Sequence, residues 1–191
     1  MRDIAIFGGS FDPPHLGHLE IIKTALEILE IEKLFIIPCF LNPFKKNFFF
    51  NPDKRISWLR KLLNDKDSRI EILDFEIKQK KPIHTIETID FIQATYKPTK
   101  IYLLLGADNL ETLPLWHGYQ NLKNKVEFII APRHGFKITD SFKILPMQEV
   151  AISSTQIREG IKSNNEEIIK FIPLSILKEV KEKNCNTIEN K

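Results

Sequence analysis

The chain has 191 residues, 42% of them hydrophobic and 28% charged, close to globular averages, which excludes a wholly disordered polypeptide. With 28 Lys and Arg against 25 Asp and Glu, the net charge of +3 suits small anionic substrates and is too mild for a nucleic-acid coat protein. No apolar run approaches the ~18 residues of a membrane helix. Cys39 and Cys185 show neither CxxC nor zinc-like spacing. The expectation is a soluble cytoplasmic protein made of one domain, residues 1–191.

The first strand is expected at 3–7, "DIAIF". A helix should follow over 16–30, where Leu19, Ile22, Leu26 and Leu29 recur at spacings of three and four. "KLFIIP" (33–38) reads as a second strand. A helix over 52–63 is announced by Asn51 and Pro52, a cap followed by a proline-tolerant first turn. Further strands are expected at 69–75, 100–106 and 125–131, with a helix over 85–95 carrying Ile86, Ile89 and Ile92. Several of these strands are apolar on both faces, as when helices cover a sheet on each side. The alternation predicts an α/β fold with a doubly wound parallel sheet. From about 184 the sequence "NCNTIENK" is polar and reads as a fraying tail.

Residues 40–51, "FLNPFKKNFFFN", break the alternation. They read either as a surface loop whose phenylalanines tuck back, or as a lid carrying lysines over an anion.

The stretch "GGSFDPPHLGH" (8–18) concentrates the chemistry. In an open parallel sheet, ligands bind beyond the carboxyl ends of the strands. Glycines there let backbone approach a ligand, and prolines stiffen entry to a helix whose free amides attract anions. His15 and His18, three apart, would share a face at that helix start and can donate hydrogen bonds to phosphate oxygens. The loop is neither GxxxxGK[ST] nor GxGxxG. In "ISSTQIREG" (152–160), Ser153 and Gln156 form a capping-box pattern, with Ser154, Thr155 and Arg158 in the first turns.

Together the two segments resemble the HxGH nucleotidylyltransferases, with "ISSTQIR" similar to that superfamily's second phosphate motif. "GADNLETLPLW" (106–116), "RISW" (55–58), "HTIET" (84–88) and "IIAPRHGF" (129–136) stand in the order seen in bacterial nicotinate-nucleotide adenylyltransferases. The resemblance covers nearly the whole chain. It implies a Rossmann-like nucleotidylyltransferase fold with a C-terminal helical segment. The implied reaction is adenylyl transfer from ATP to nicotinate mononucleotide, giving deamido-NAD and pyrophosphate in NAD biosynthesis, with Mg2+ accompanying ATP and no metal site of the protein's own.

The implied catalytic residues are His15, His18, Lys45 and Arg158. ATP would lie on Gly8, Gly9, Ser10, Phe11, His15, His18, Gly106, Asp108, Ile152, Ser153, Ser154, Thr155 and Arg158. Nicotinate mononucleotide would lie on Ser10, Phe11, Lys45, Thr85, Trp116 and Arg133. The implied partners are these two small molecules, with neither nucleic acid nor membrane; a homo-oligomer is left open. Two positions depart from the family pattern, Phe44 for the histidine of its PPHK loop and His84 for the tyrosine of its yTidT motif. A phosphopantetheine adenylyltransferase would carry Thr in place of His15, and a cytidylyltransferase a different motif from "ISSTQIR". Other readings are a nucleotide sensor that kept the fold and an RNA-binding module using "KKNFFF".

Overall fold

Strand β1 (Asp3–Gly9) lies between β2 (Lys33–Pro38) and β4 (Lys100–Gly106) at the centre of a six-stranded sheet. A computed structural model describes residues 2–186. Outside this trio lie β3 (Ile70–Ile72), β5 (Glu127–Ala131) and β6 (Lys143–Ile144), giving the order β3-β2-β1-β4-β5-β6. Every pairing is parallel. The chain therefore has the doubly wound α/β fold that its alternation of patterns predicts.

Period-two alternation divides the core. Ala5, Phe7, Leu34, Ile36, Leu104 and Ile129 pack on one face, against α1 (Leu16–Ile28), α2 (Pro52–Leu63), α6 (Ser154–Lys162), α7 (Glu166–Ile169) and α8 (Leu174–Asn186). Ile4, Ile6, Phe35, Ile37, Leu103, Leu105 and Ile130 pack on the other, with Ile86, Ile89 and Ile92 of α4 (Thr85–Tyr96) and Leu122 of α5 (Tyr119–Lys125). The strands are apolar on both faces because both faces are covered.

Some boundaries differ from the sequence reading. The strand expected over 69–75 keeps only three residues, and Phe75 opens a short helix, α3 (Phe75–Lys78), in which it stacks on Phe91 at 4.0 Å between ring centres. The strand expected from 125 begins at Glu127, because Lys125 ends α5. α1 stops at Ile28, two residues early. At the C-terminus α8 continues to Asn186, so residues 184–186 of the expected tail are helical and the remainder lies outside the described residues. No helix among the described residues is long and apolar enough to cross a membrane.

Residues 40–51 form no regular element, and the reading of a surface loop whose phenylalanines tuck back holds for part of it. Phe50 is buried and Phe49 packs against the core, whereas Phe44 is 62% exposed. The Asn51 side chain accepts from the N–H of Asp53 at 2.8 Å, the expected cap of α2.

Candidate active site

The sheet reverses its winding at the β1–β4 border, and the crevice beyond the carboxyl ends of those strands is the expected place for a ligand. A cavity of about 730 Å³ opens there, within the ordinary range for small-molecule sites. Its walls come from the loop after β1 (Gly8, Gly9, Ser10, Phe11, His15, His18), the 40–51 loop (Phe44, Lys45), the start of α4 (His84, Thr85), the turns after β4 (Gly106, Asp108, Trp116, His117), Arg133 after β5, and Ile152–Thr155 at the start of α6. Residues far apart in sequence thus meet because each follows the carboxyl end of a strand or opens a helix.

The β1 loop is fixed from several sides. Phe11 takes a left-handed φ of 46° and the Asp12–Pro13 peptide is cis. A Cβ on Gly9 would meet the Phe11 ring at 3.2 Å, and one on Gly17 would meet the His15 ring at 3.1 Å. Buried Asp12 accepts from the N–H of Phe49 at 2.8 Å and of Phe50 at 2.7 Å, tying the β1 loop to the 40–51 loop. Buried Arg55 ties the same two loops from below, donating to the carbonyls of Ser10, Cys39, Phe40 and Phe50 at 2.5–3.2 Å.

His15 caps α1 and His18 lies in its first turn, their rings 3.7 Å apart and tilted by 30°. His18 Nδ1 accepts the His15 backbone N–H at 3.2 Å, which leaves the ring proton on Nε2. Burial, with Arg133 adding to it, pushes His15 down to about 3. Burial, then His15 and Arg133, pushes His18 well below the usual imidazole range. Both rings are therefore neutral donors near pH 7.

α6 opens as its sequence suggests, with one difference. Ser153 Oγ accepts from the Gln156 N–H at 3.1 Å, but the Gln156 side chain takes the Ser153 hydroxyl at 2.8 Å and not the cap's backbone N–H, so the box is not reciprocal. Ser154 Oγ donates to Pro13 O at 3.0 Å. Arg158 is held against the loop backbone, donating to Asp12 O at 2.7 Å and to Thr155 Oγ1 at 2.9 Å.

Asp108 and Arg133, expected on different substrates, pair with each other at 2.8 Å, and Arg133 also donates to Ile152 O. A Cβ on Gly106 would collide with Asp108 Oδ1, so glycine there allows the carboxylate its place. Thr85 is the first residue of α4 and shares the cavity wall with Trp116, whose buried Nε1 has no hydrogen-bond partner among the described residues.

Four residues of this arrangement were not singled out as site residues from sequence: Asp12, Arg55, His117 and Glu76. Glu76 is buried on the cavity wall beside Cys39, accepts from Thr88 Oγ1 at 2.7 Å, and is pushed up to about 7, chiefly by burial. The "DFE" segment, read as the end of a strand and found to open α3, gave no local signal of this burial.

Comparison with known proteins bears on this geometry. Residues 6–160 match the family described as Cytidylyltransferase-like. A Nitratiruptor protein named "Probable nicotinate-nucleotide adenylyltransferase" is 45% identical over 88% of this chain and 97% of its own. A Sulfurimonas denitrificans protein of the same name is 42% identical over 98% of this chain and 100% of its own. The chain belongs to the nicotinate-nucleotide adenylyltransferase family. The solved Plasmodium falciparum nicotinic acid mononucleotide adenylyltransferase complexed with NaAD shares the fold, with a TM-score of 0.81 over the full length of both chains at 21% identity.

Proposed function

We infer that the protein transfers the adenylyl group of ATP to nicotinate mononucleotide, forming deamido-NAD and pyrophosphate in NAD biosynthesis. The observation that carries this reading is the single cavity in which His15, His18 and the α6 start share walls with Thr85 and Trp116. Groups suited to phosphate oxygens and a group suited to an aromatic ring stand together there, which supports a reaction joining two nucleotides.

In this reading, an oxygen of the acceptor's 5′-phosphate attacks the α-phosphorus of ATP, the bond to the β-phosphate bridging oxygen breaks, and pyrophosphate leaves. The acceptor phosphate is already ionised at neutral pH, so the protein's task is positioning and charge stabilisation. His18 Nε2–H is the donor nearest the reacting phosphate, assisted by His15. The hydroxyls and amides of Ser153, Ser154 and Thr155 bind phosphate oxygens at the start of α6. Lys45 and Arg158 neutralise the outgoing pyrophosphate. Gly8, Gly9, Ser10, Phe11, Gly106, Asp108 and Ile152 complete the ATP side. Ser10, Phe11, Thr85, Trp116 and Arg133 hold the nicotinate mononucleotide, with Lys45 between the two.

Mg2+ enters with ATP in this proposal. Asp108 is a carboxylate on the wall whose Oδ2 pairs with Arg133, so the ion would be held by ATP's own phosphates and would supply neutralisation of their charge. A cytoplasmic location is part of the reading, since two lone cysteines, Cys39 and Cys185, fit a reducing compartment.

Pyrophosphate release with MgATP and three acceptors in parallel tests it: nicotinate mononucleotide, nicotinamide mononucleotide and phosphopantetheine. Turnover confined largely to the first is expected. Preference for phosphopantetheine, or silence with all three, overturns the reading.

A further inference from the structure

Glu76 has no part in the scheme above. It is buried, yet it lines the cavity, beside Cys39 at the end of β2 and Thr88 of α4.

Local structure explains how a carboxyl comes to stand there. α3 has only four residues, and the stacking of Phe75 on Phe91 docks it on α4. Glu76 and Ile77 are the buried residues of this turn, while Asp74 pairs with Lys78 at 2.9 Å and with Arg60 at 3.8 Å away from the cavity. Thr88 Oγ1 donates to Oε1 of Glu76 at 2.7 Å, and among the described residues no cation forms an ion pair with either oxygen. Glu87 of α4 adds its negative charge to the effect of burial. Lys45 of the 40–51 loop and Arg55 of α2 act on the neighbouring Cys39, whose thiol burial pushes up and keeps protonated. A glutamine would accept from Thr88 equally well without burying an ionisable group. What the acid adds is a charge on the cavity wall that comes and goes with a proton.

We propose that Glu76 is a proton-operated affinity switch on the acceptor half of the cavity: its protonated carboxyl admits the anionic acceptor, and its carboxylate repels it. The proposal rests on the functional reading above, in which Ser10 and Thr85 hold nicotinate mononucleotide. Cys39 Sγ donates to Ser10 Oγ at 3.6 Å, and Thr85 lies about one turn before Thr88, so Glu76 stands on that side. The α6 start proposed for ATP packs on the opposite face of the sheet from α4. Nicotinate mononucleotide is net anionic at neutral pH, and a like charge on a partly dry wall opposes its binding. The coupling is reciprocal: an acceptor that binds the protonated form tenfold more tightly raises the carboxyl's affinity for its proton tenfold.

The test measures KM for nicotinate mononucleotide and for ATP between about pH 6 and about pH 9 in the wild type, Glu76→Gln and Thr88→Val. Dividing wild-type KM by that of Glu76→Gln at each pH cancels titration of the substrate's own phosphate. For nicotinate mononucleotide this ratio is expected to rise about tenfold as pH passes through about 7, and for ATP less than about twofold. The hydrogen bond from Thr88 favours the carboxylate, so its removal in Thr88→Val should move the inflection to higher pH. If Glu76→Gln does not fold, that displacement carries the test, and an inflection that stays in place overturns the proposal. A flat ratio overturns it, as does an equal rise for both substrates, which would mean that the whole cavity loosens with pH. A KM that falls with rising pH would show the carboxylate attracting the cationic pyridine ring, and overturns it too. Failure of the functional reading is distinguishable, because it shows in the wild type as absent turnover with nicotinate mononucleotide at every pH.

Discussion

The backbone N–H of His15 donates to Nδ1 of His18 across 3.2 Å, so the helix start itself chooses the tautomer of the second histidine. A neutral ring whose Nδ1 is occupied can offer only Nε2–H, and it offers that proton without first losing one. With both rings held neutral by burial, the role proposed for them is hydrogen bonding to charge that develops on phosphate and not acid catalysis. One preorganised donor at a developing charge is typically worth about 10² to 10³ in rate. His18→Ala should therefore lower kcat by at least about 10² with the thermal midpoint little changed. Near-normal turnover in that variant would remove His18 from the chemistry.

Gly17 separates stability from activity. It is buried in the first turn of α1, and a Cβ would press on Cε1 and Nδ1 of His15 at 3.1 Å. Within a helix, alanine is otherwise favoured over glycine by about 0.5–1 kcal/mol. Gly17→Ala is expected to leave stability unchanged or slightly raised while kcat falls by about tenfold through displacement of the His15 ring. Chemical denaturation beside single-turnover kinetics checks both halves. A variant as active as the wild type would show that the His15 ring position does not matter.

Glu76 makes folding depend on pH in a direction opposite to most carboxylates. Its value is raised from 4.5 to about 7 by burial, so the folded state binds its proton more tightly than the unfolded chain does. The associated stability is present in full below about pH 4.5 and is lost as pH rises through about 7. The span corresponds to about 3 kcal/mol as an upper figure. Glu76→Gln keeps an acceptor for Thr88 and cannot ionise, so the variant should gain on the wild type between pH 5 and pH 8. Urea midpoints at the two pH values measure this, and parallel pH dependence in both proteins would rule it out.

Arg55 shows what local sequence reading could not reach. Its guanidinium donates to four backbone carbonyls, one of them 45 positions away, and nothing in "RISW" announces those partners. Asp12 is similar, since its acceptors serve N–H groups 37 and 38 positions on. The meeting of the β1 loop and the α6 start at one cavity was legible because glycine, proline, histidine and hydroxyl residues act there through the backbone nearest to them. Strand and helix periods were legible for the same local reason, whereas β3 was read four residues too long and β6, of two residues, is too short to carry a period. The Asp108–Arg133 pair could not be read, because two cavity-lining residues in separate loops give no sign in the sequence that they meet. Arg55→Leu leaves those carbonyls buried without a donor, and a loss of about 3 kcal/mol or more in unfolding free energy is expected. A change below about 1 kcal/mol would mean that water replaces the guanidinium at no cost.

Trp116 is half-buried between two roles. One side of the indole packs with the cluster around α4 and α5, and the residue also lines the cavity next to Thr85. Its Nε1–H has no acceptor among the described residues, although a buried indole N–H ordinarily finds one. A purely packing residue would affect both substrates alike, since a loosened core disturbs the whole cavity. A ring-binding residue would affect the pyridine nucleotide alone, because the ATP phosphates lie on the β1 loop and α6 in the proposed arrangement. Aromatic contacts are worth about 0.5–1.5 kcal/mol beyond their buried area. Trp116→Ala should thus raise KM for nicotinate mononucleotide by about tenfold while KM for ATP changes less than about twofold. Trp116→Phe keeps a ring and removes the N–H, so its position between wild type and alanine divides stacking from hydrogen bonding. Matching losses for both substrates in the alanine variant would assign Trp116 to the core and leave the pyridine ring to be held by Thr85 and its neighbours.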